Sequence, residues 1–271
     1  GMSKIYRLGV VGNPIEHSLS PFIHSRFARN EKINLSYKAY KAEPDSFEEF
    51  VNSFFSFKES KGLNITLPFK HHASKLTGTI STEASIISAV NTIKKKIKKR
   101  ELATTDGAGF IEDLRSKNIS IRNKEILIIG AGAASESILY KMISEQPKKI
   151  IIANRTTLKA ENIINKYKKL FKNIHIHSSS DSSIPDLIVN GSSAGLTGKF
   201  APIDINTSKT SAYYDLNYSL ETTPFCEWAQ QNSSKVFDGI GMLLNQAAYS
   251  FDIWFGVKPK TDNVLEDIKS L

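Results

Sequence analysis

Residues 126–142 read ILIIGAGAASESILYKM. An apolar run of strand character ends on Gly130, glycine returns at Gly132, and small residues lead into helix-period spacing. Strand, tight glycine turn and helix, in that order, form the setting of a dinucleotide-phosphate turn. Gly130 permits the turn, and Gly132 lets the backbone approach a pyrophosphate seated on the helix N-terminus. Ser135, at the third position, is small enough for close helix–strand packing. The glycines alone are a weak signal, so the end of the next strand decides. It reads IIIANRT, with Asn154, Arg155 and Thr156 where an NAD site usually carries a carboxylate. A carboxylate repels a 2′-phosphate, whereas a guanidinium and a hydroxyl bind one. NADP is the expected cofactor; the ordinary alternative is that Arg155 is a solvated loop arginine.

Outward from this turn, an alternating series runs through GFIEDLRSKN (helix), EILIIG (strand), KKIIIANR (strand), TLKAENIINKYKKL (helix), NIHIHS, PDLIVNGS, AYYDLN and KVFDG. IGMLLNQAAYSFDIWF then has the three- and four-residue apolar spacing of an amphipathic helix. An earlier series starts with the strand YRLGVVG and the helix SPFIHSRFARN, for which Ser20 and Pro21 read as N-cap and first turn. LSYKAYKA follows as a strand, PDSFEEFVNSFFSF as a helix, and GLNITLPF as a strand stopped by Pro68. Alternation of this kind predicts α/β architecture with a mostly parallel sheet, and two series predict two α/β domains. HSSSDSSIP is the one serine-rich patch and reads as a loop.

The chain has 271 residues, 40% hydrophobic and 23% charged, enough for two modest cores. No apolar run reaches the roughly 18 residues that span a bilayer, and no signal-peptide pattern opens the chain. A single cysteine, Cys226, excludes an intrachain disulfide and fits a reducing cytoplasm. The formal charge of +9 is concentrated in KKKIKKR (Lys94 to Arg100) and in KYKKLFK (Lys166 to Lys172). The first reads as a solvated hairpin end and the second closes a helix, where lysines suit the dipole. No aromatic residues interleave KKKIKKR as a base-stacking surface requires, so small anions are expected ahead of nucleic acid. His175 and His177 share a strand face without a third ligand, and no metal site is expected.

Polar residues gather at element ends: Ser18 and Ser20 in HSLSP, Thr66 and Lys70 in NITLPFK, Asn91 in AVNT, and Asp106 in TTDGAG. Each has an ordinary structural explanation as a cap, a turn or a surface lysine. Together they describe a pocket for a polyhydroxylated ligand, with one lysine and one carboxylate able to move a proton.

Across nearly the whole chain, GNPIEHSLSPFIH, GLNITLPFK, AVNTI, TDGAGF, GAGAAS, NRT, NGSSAGL, DLNYSLETTPF and DGIGMLLNQA occur in an order that closely resembles the shikimate dehydrogenase family. The resemblance implies reversible NADPH-dependent reduction of 3-dehydroshikimate to shikimate, in aromatic amino-acid biosynthesis. It implies Lys70 and Asp106 as the catalytic pair. Ser18 and Ser20, helped by Tyr218, would bind the substrate carboxylate, and Thr66, Asn91 and Gln246 its ring hydroxyls. Gly130, Ala131, Gly132, Ala133, Ala134 and Ser135 would hold the pyrophosphate, Asn154, Arg155 and Thr156 the adenosine ribose phosphate, and Gly239 would line the cofactor site. The implied organisation is a substrate domain over residues 1–105, completed by helices in 241–271, and a Rossmann-type NADP domain over 106–240. A cytoplasmic monomer or homodimer is implied, without membrane or nucleic-acid partner. Ala133, Thr104 and Ser25 depart from the usual family residues, and none of them removes a catalytic group. The rivals are a quinate-using relative of broader specificity and a non-catalytic dinucleotide-binding regulator. Thr66 and the arginine–threonine pair argue against the first, Lys70 and Asp106 against the second.

Overall fold

The computed structural model describes residues 4–178, 183–193, 198–201 and 206–271. Parts of HSSSDSSIP and NGSSAGL lie outside the described residues. The chain divides into two units: residues up to Gly109 together with Leu244–Leu271, and Phe110–Leu243.

Unit one begins β1 (Tyr6–Gly12), α1 (Ser20–Glu31), β2 (Leu35–Lys41), α2 (Phe47–Phe55), β3 (Ser60–Ile65) and α3 (Lys70–Ala73). It continues with β4 (Thr79–Ile80), α4 (Thr82–Ile87), β5 (Thr92–Lys95), β6 (Arg100–Ala103) and the start of α5 (Asp106–Ser116). These strands form one sheet in the order β2-β1-β3-β5-β6-β4. β1 runs parallel to β2 and β3, whereas β5 is antiparallel to β3 and to β6. The sheet is therefore mostly parallel, as the alternation predicts: β4 is also parallel to β6, and among the described strands β5 alone runs the other way. The link from Lys96 to Lys99, closed by a 2.8 Å backbone bond, is too short for a crossover and can join only antiparallel strands. KKKIKKR is that hairpin end, with Ile97 fully exposed.

Helix α1 begins at Ser20, one residue earlier than its reading as an N-cap predicts. Leu19 occupies the cap position, and the Ser18 hydroxyl accepts the Ser20 N–H at 3.2 Å. The sheet is apolar on both faces. Val11, Leu63, Ile65, Ile93 and Leu102 pack with Phe47, Val51, Phe54 and Phe55 of α2. Leu8, Val10 and Tyr37 pack with Trp254.

Unit two contains β7 (Glu125–Ile129), α6 (Ala133–Ser144), β8 (Lys149–Ala153), α7 (Thr157–Leu170) and β9 (Ile176–Ser178). Then come β10 (Leu187–Asn190), β11 (Ala212–Asp215), α8 (Pro224–Ala229) and β12 (Val236–Phe237). Every pairing in its sheet, ordered β12-β11-β10-β7-β8-β9, is parallel. This is doubly wound order, reversing direction between β7 and β10. Buried-both-faces strands such as Ile126–Ile129 and Ile150–Ala153 read as continuous apolar runs for that reason.

The chain returns to unit one through α9 (Ile240–Phe255) and ends in α10 (Asp262–Lys269). Trp254 of α9 packs against Gly62 of β3, where any Cβ would strike its indole nitrogen, and that nitrogen donates to the Ile93 carbonyl at 3.0 Å. Among the described residues no helix is long and apolar enough to cross a membrane.

Candidate active site and cofactor cradle

In unit one the ladder register builds the site. Thr92 faces Ala103 across β5 and β6, so the residue before β5 and those after β6 lie side by side. Asn91 is pinned there by its backbone, its N–H donating to Ala103 at 3.0 Å and its carbonyl accepting from Ile65 at 2.8 Å. Lys70 reaches the same place because its carbonyl accepts the Val90 N–H at 3.0 Å. The result is an ion pair: Lys70 Nζ donates to Asp106 Oδ2 at 2.8 Å. The carboxylate is nearly buried, with 9% of its side chain exposed, while the lysine keeps 35% open to solvent.

The Asn91 amide completes this arrangement, and its orientation is determined by a donor that cannot rotate. The Thr105 backbone N–H donates to Asn91 Oδ1 at 2.9 Å, and the Thr92 hydroxyl donates to the same oxygen at 2.7 Å. Asn91 Nδ2 must then face the other way, toward the Thr105 hydroxyl at 2.8 Å, Asp106 Oδ1 at 3.1 Å and Gln246 Oε1 at 3.2 Å, among which its two protons are shared. Gln246 is held in turn by the Thr105 hydroxyl, which donates to its carbonyl at 2.9 Å. A cation with access to solvent thus rests on one oxygen of a carboxylate whose other oxygen is held by a fixed amide. Such a cation can give up a proton without losing its place.

Thr66, Ser18 and Ser20 follow the ends of neighbouring parallel strands. The Thr66 N–H donates to Val11 at 3.0 Å, and the Asn13 N–H to Leu67 at 3.0 Å, so the turn after β3 lies on the turn after β1. All three hydroxyl residues are half-buried on that strand end. Sequence reasoning passed over the layer beneath them: Tyr37, Asn64, Thr92, Thr105 and Ser250, each under 9% exposed. Tyr37 donates to Asn64 Oδ1 at 2.7 Å. Burial pushes its phenol well above the usual range, and a hydrogen bond with Ser20 partly offsets this.

In unit two the Gly130 turn sits at the strand edge beside the end of β8, its N–H donating to Ala153 at 2.7 Å. Gly130 has φ +104°, which excludes most side chains, and Gly132 forms the N-cap of α6. A Cβ at Gly132 would meet nothing within 4 Å, and no side chain among the described residues caps the helix. Open space beside uncapped amide N–H groups at a helix N-terminus fits a pyrophosphate. Ala131, Ala133 and Ala134 leave that mouth uncovered, while Ser135 is buried against Gly191. Asn154, Arg155 and Thr156 follow β8 directly. Asn154 donates to the Thr156 carbonyl at 2.9 Å, and the exposed Arg155 donates to the Ala201 carbonyl at 3.4 Å. These residues fit a dinucleotide bearing a further phosphate.

Gly239 lies against the Leu216 carbonyl, and its N–H donates to Asn217 at 3.0 Å, tying the turn after β12 to the turn after β11. Tyr218 stands in that second turn, 39% exposed. Buried Asp215 holds it, accepting from the Asn217 N–H at 3.1 Å and the Thr223 hydroxyl at 2.7 Å. Tyr218 belongs to unit two, Ser18 and Ser20 to unit one. Among the described residues no group of three or more His, Cys, Asp or Glu is placed to hold a metal ion.

Comparison with known proteins follows the same division. Residues 10–93 match the shikimate dehydrogenase substrate binding domain, residues 113–185 the shikimate / quinate 5-dehydrogenase family, and residues 239–268 the shikimate 5′-dehydrogenase C-terminal domain. A shikimate dehydrogenase (NADP(+)) of Ruthia magnifica is 39% identical over 269 residues, covering 98% of this chain and all of that protein. The crystal structure of shikimate dehydrogenase from Aquifex aeolicus superposes with a TM-score of 0.86 at 30% identity, over 99% of this chain and 98% of that one. The shikimate 5-dehydrogenase of Thermus thermophilus, crystallised with NADP(H) and shikimate, gives a TM-score of 0.86 at 25% identity, over 98% of this chain and 99% of that one.

Proposed function

The chain belongs to the shikimate dehydrogenase family, NADP-dependent oxidoreductases that interconvert 3-dehydroshikimate and shikimate, and we propose that Lys70 and Asp106 handle the proton of that reaction. The observation that carries this reading is the 2.8 Å pair of a solvent-accessible ammonium and a nearly buried carboxylate. Bound NADP(H) supplies the hydride or accepts it. In reduction, Lys70 donates a proton to the ketone oxygen; in oxidation, its neutral amine removes the proton from the same hydroxyl. Asp106 keeps Nζ in place and accepts from a neighbouring substrate hydroxyl. Asn91 and Gln246 orient the ring hydroxyls together with Thr66, and orientation of the reacting group contributes much of the rate. Ser18, Ser20 and Tyr218 bind the carboxylate.

The α6 N-terminus from Gly130 to Ser135 holds the pyrophosphate, Asn154, Arg155 and Thr156 the 2′-phosphate, and Gly239 lines the same cradle. Residues 1–105 with 241–271 act as the substrate domain and 106–240 as the cofactor domain. The enzyme is cytoplasmic, a monomer or a homodimer; its one cysteine is free and buried.

The deciding experiment is single-turnover hydride transfer in Lys70→Ala, followed by NADPH absorbance with 3-dehydroshikimate. Removal of a positioned acid–base group slows the step about 10²- to 10⁴-fold. NADP affinity and melting temperature stay close to those of the unsubstituted protein. A transfer rate near the unsubstituted value would leave Lys70 no role in the chemistry.

A further inference from the structure

We propose that Ser250, in α9 and outside every family motif quoted above, is a positioning residue of the substrate site: it fixes the Asn64 and Asn91 amides through a directional chain of buried hydrogen bonds. The inference rests on the role assigned to Asn91 beside Asp106. Ser250 lies one helical turn beyond Gln246, so both side chains leave the same face of α9 toward the sheet. It is wholly buried, and its hydroxyl touches three polar side chains: Asn64 Nδ2 at 3.2 Å, Thr92 Oγ1 at 2.7 Å and Thr105 Oγ1 at 3.1 Å.

Proton counting gives the chain its direction, because each hydroxyl has one proton to give. Thr92 spends its proton on Asn91 Oδ1 at 2.7 Å, and Thr105 directs its own to the Gln246 carbonyl at 2.9 Å. Neither is left with a proton for Ser250. Ser250 therefore donates, and the shorter contact, to Thr92, takes its proton. Its lone pair then receives Asn64 Nδ2. The path runs Tyr37 to Asn64 to Ser250 to Thr92 to Asn91 to Asp106, with successive separations of 2.7, 3.2, 2.7, 2.7 and 3.1 Å. Every donor points toward the carboxylate, so the dipoles reinforce one another.

Neither alanine nor cysteine does this work at position 250. Alanine neither accepts the Asn64 amide nor donates to Thr92, and cysteine fills similar space with weak hydrogen bonding. Without the Ser250 proton, Thr92 keeps only the longer contact from Asn64 Nδ2, at 3.3 Å, to hold its oxygen, and one of the two donors that orient Asn91 is loosened. The expected consequence is a loss of substrate fit at the ring hydroxyls, leaving the cofactor cradle in unit two untouched.

The test is steady-state shikimate oxidation by Ser250→Ala and Ser250→Cys, with NADP as cofactor. The expected loss in kcat/KM for shikimate is about two- to tenfold, the scale of one neutral hydrogen bond, carried mainly by KM, while KM for NADP is unchanged. In an Asn91→Ala background the Ser250 substitution should add little, since Asn91 is the residue through which it acts. Equilibrium shikimate binding by calorimetry reads the same cycle where turnover is too slow. A lowered melting temperature with kcat/KM for shikimate within twofold of normal would overturn the proposal, as would an undiminished effect in the Asn91→Ala background. Normal turnover in Lys70→Ala would count instead against the proton-handling pair, which is a separate failure.

Discussion

His24 should make this protein lose stability on mild acidification. The imidazole is wholly buried between Tyr37, Phe27, Phe251 and Trp254, with rings stacked on Tyr37 at 4.6 Å. Among the described residues neither ring nitrogen has a well-formed hydrogen bond, and the Asn64 side chain beside the ring offsets burial only in part. Burial drives its pKa from 6.5 down to about 3. The sign follows from proton counting. Between those values the unfolded chain carries a protonated imidazole and the folded chain a neutral one. The unfolded state binds more protons, so stability falls as pH falls. From pH 7 to pH 5 the loss from this one group is about 2 kcal/mol, and it needs only a folded value well below 5. At about 2–4 °C per kcal/mol for chains of this size, the melting temperature drops by roughly 4–8 °C.

The assay is chemical denaturation of the unsubstituted protein, His24→Gln and His24→Phe at pH 7 and pH 5. Other titrating groups are shared by all three proteins and cancel in the comparison. The variants will differ from the parent in absolute stability, because their packing differs, but both should lose about 2 kcal/mol less than it does over this interval. An identical pH dependence in parent and variants would mean that His24 protonates inside the fold, and the reasoning would be wrong.

Two further outcomes follow from the same structure. Arg155→Ala should weaken NADP binding by one to two decades, the equivalent of about 1.5–3 kcal/mol for a lost charge-assisted contact, and leave NAD binding nearly unchanged; titration with both cofactors checks it, and equal weakening would indicate a general loop defect. Gly62→Ala should force Trp254 off β3, an overpacking that costs about 1–3 kcal/mol and shows as a lower denaturation midpoint; an unaltered midpoint would mean that the indole shifts freely.

Local sequence determined every element whose signal lies within a few neighbouring residues. The strand–glycine–helix pattern at 126–142 and the arginine–threonine ending of β8 are contiguous, so turn and cofactor preference were legible directly. α9 was readable because its apolar period runs over Ile240–Phe255. The antiparallel direction of β5 was harder to read. TIKK and RELA have no period that separates parallel from antiparallel, and direction came from the short Lys96–Lys99 link and the partner it allows. The first turn of α1 shifted by one residue because Ser18, two positions earlier, supplies the oxygen that the Ser20 N–H needs.

For the proposed site, the sequence singled out Lys70, Asn91 and Asp106, because each stands at an element end with a reactive or polar side chain. It did not supply their mutual geometry. Lys70 and Asp106 are 36 residues apart, and Asn91 and Gln246 are 155 apart. Only sheet register and the return of α9 bring them within hydrogen-bond reach. The supporting layer was invisible for a related reason. Tyr37, Asn64, Thr92 and Ser250 sit inside strands or a helix, where a lone polar side chain looks like an ordinary member of a pattern. One spacing did point inward: Ser250 follows Gln246 by four residues, on the same helix face. That Ser250 meets Asn64 and Thr92 rather than solvent was decided by tertiary packing, since a buried hydroxyl has to find its partners within the folded chain.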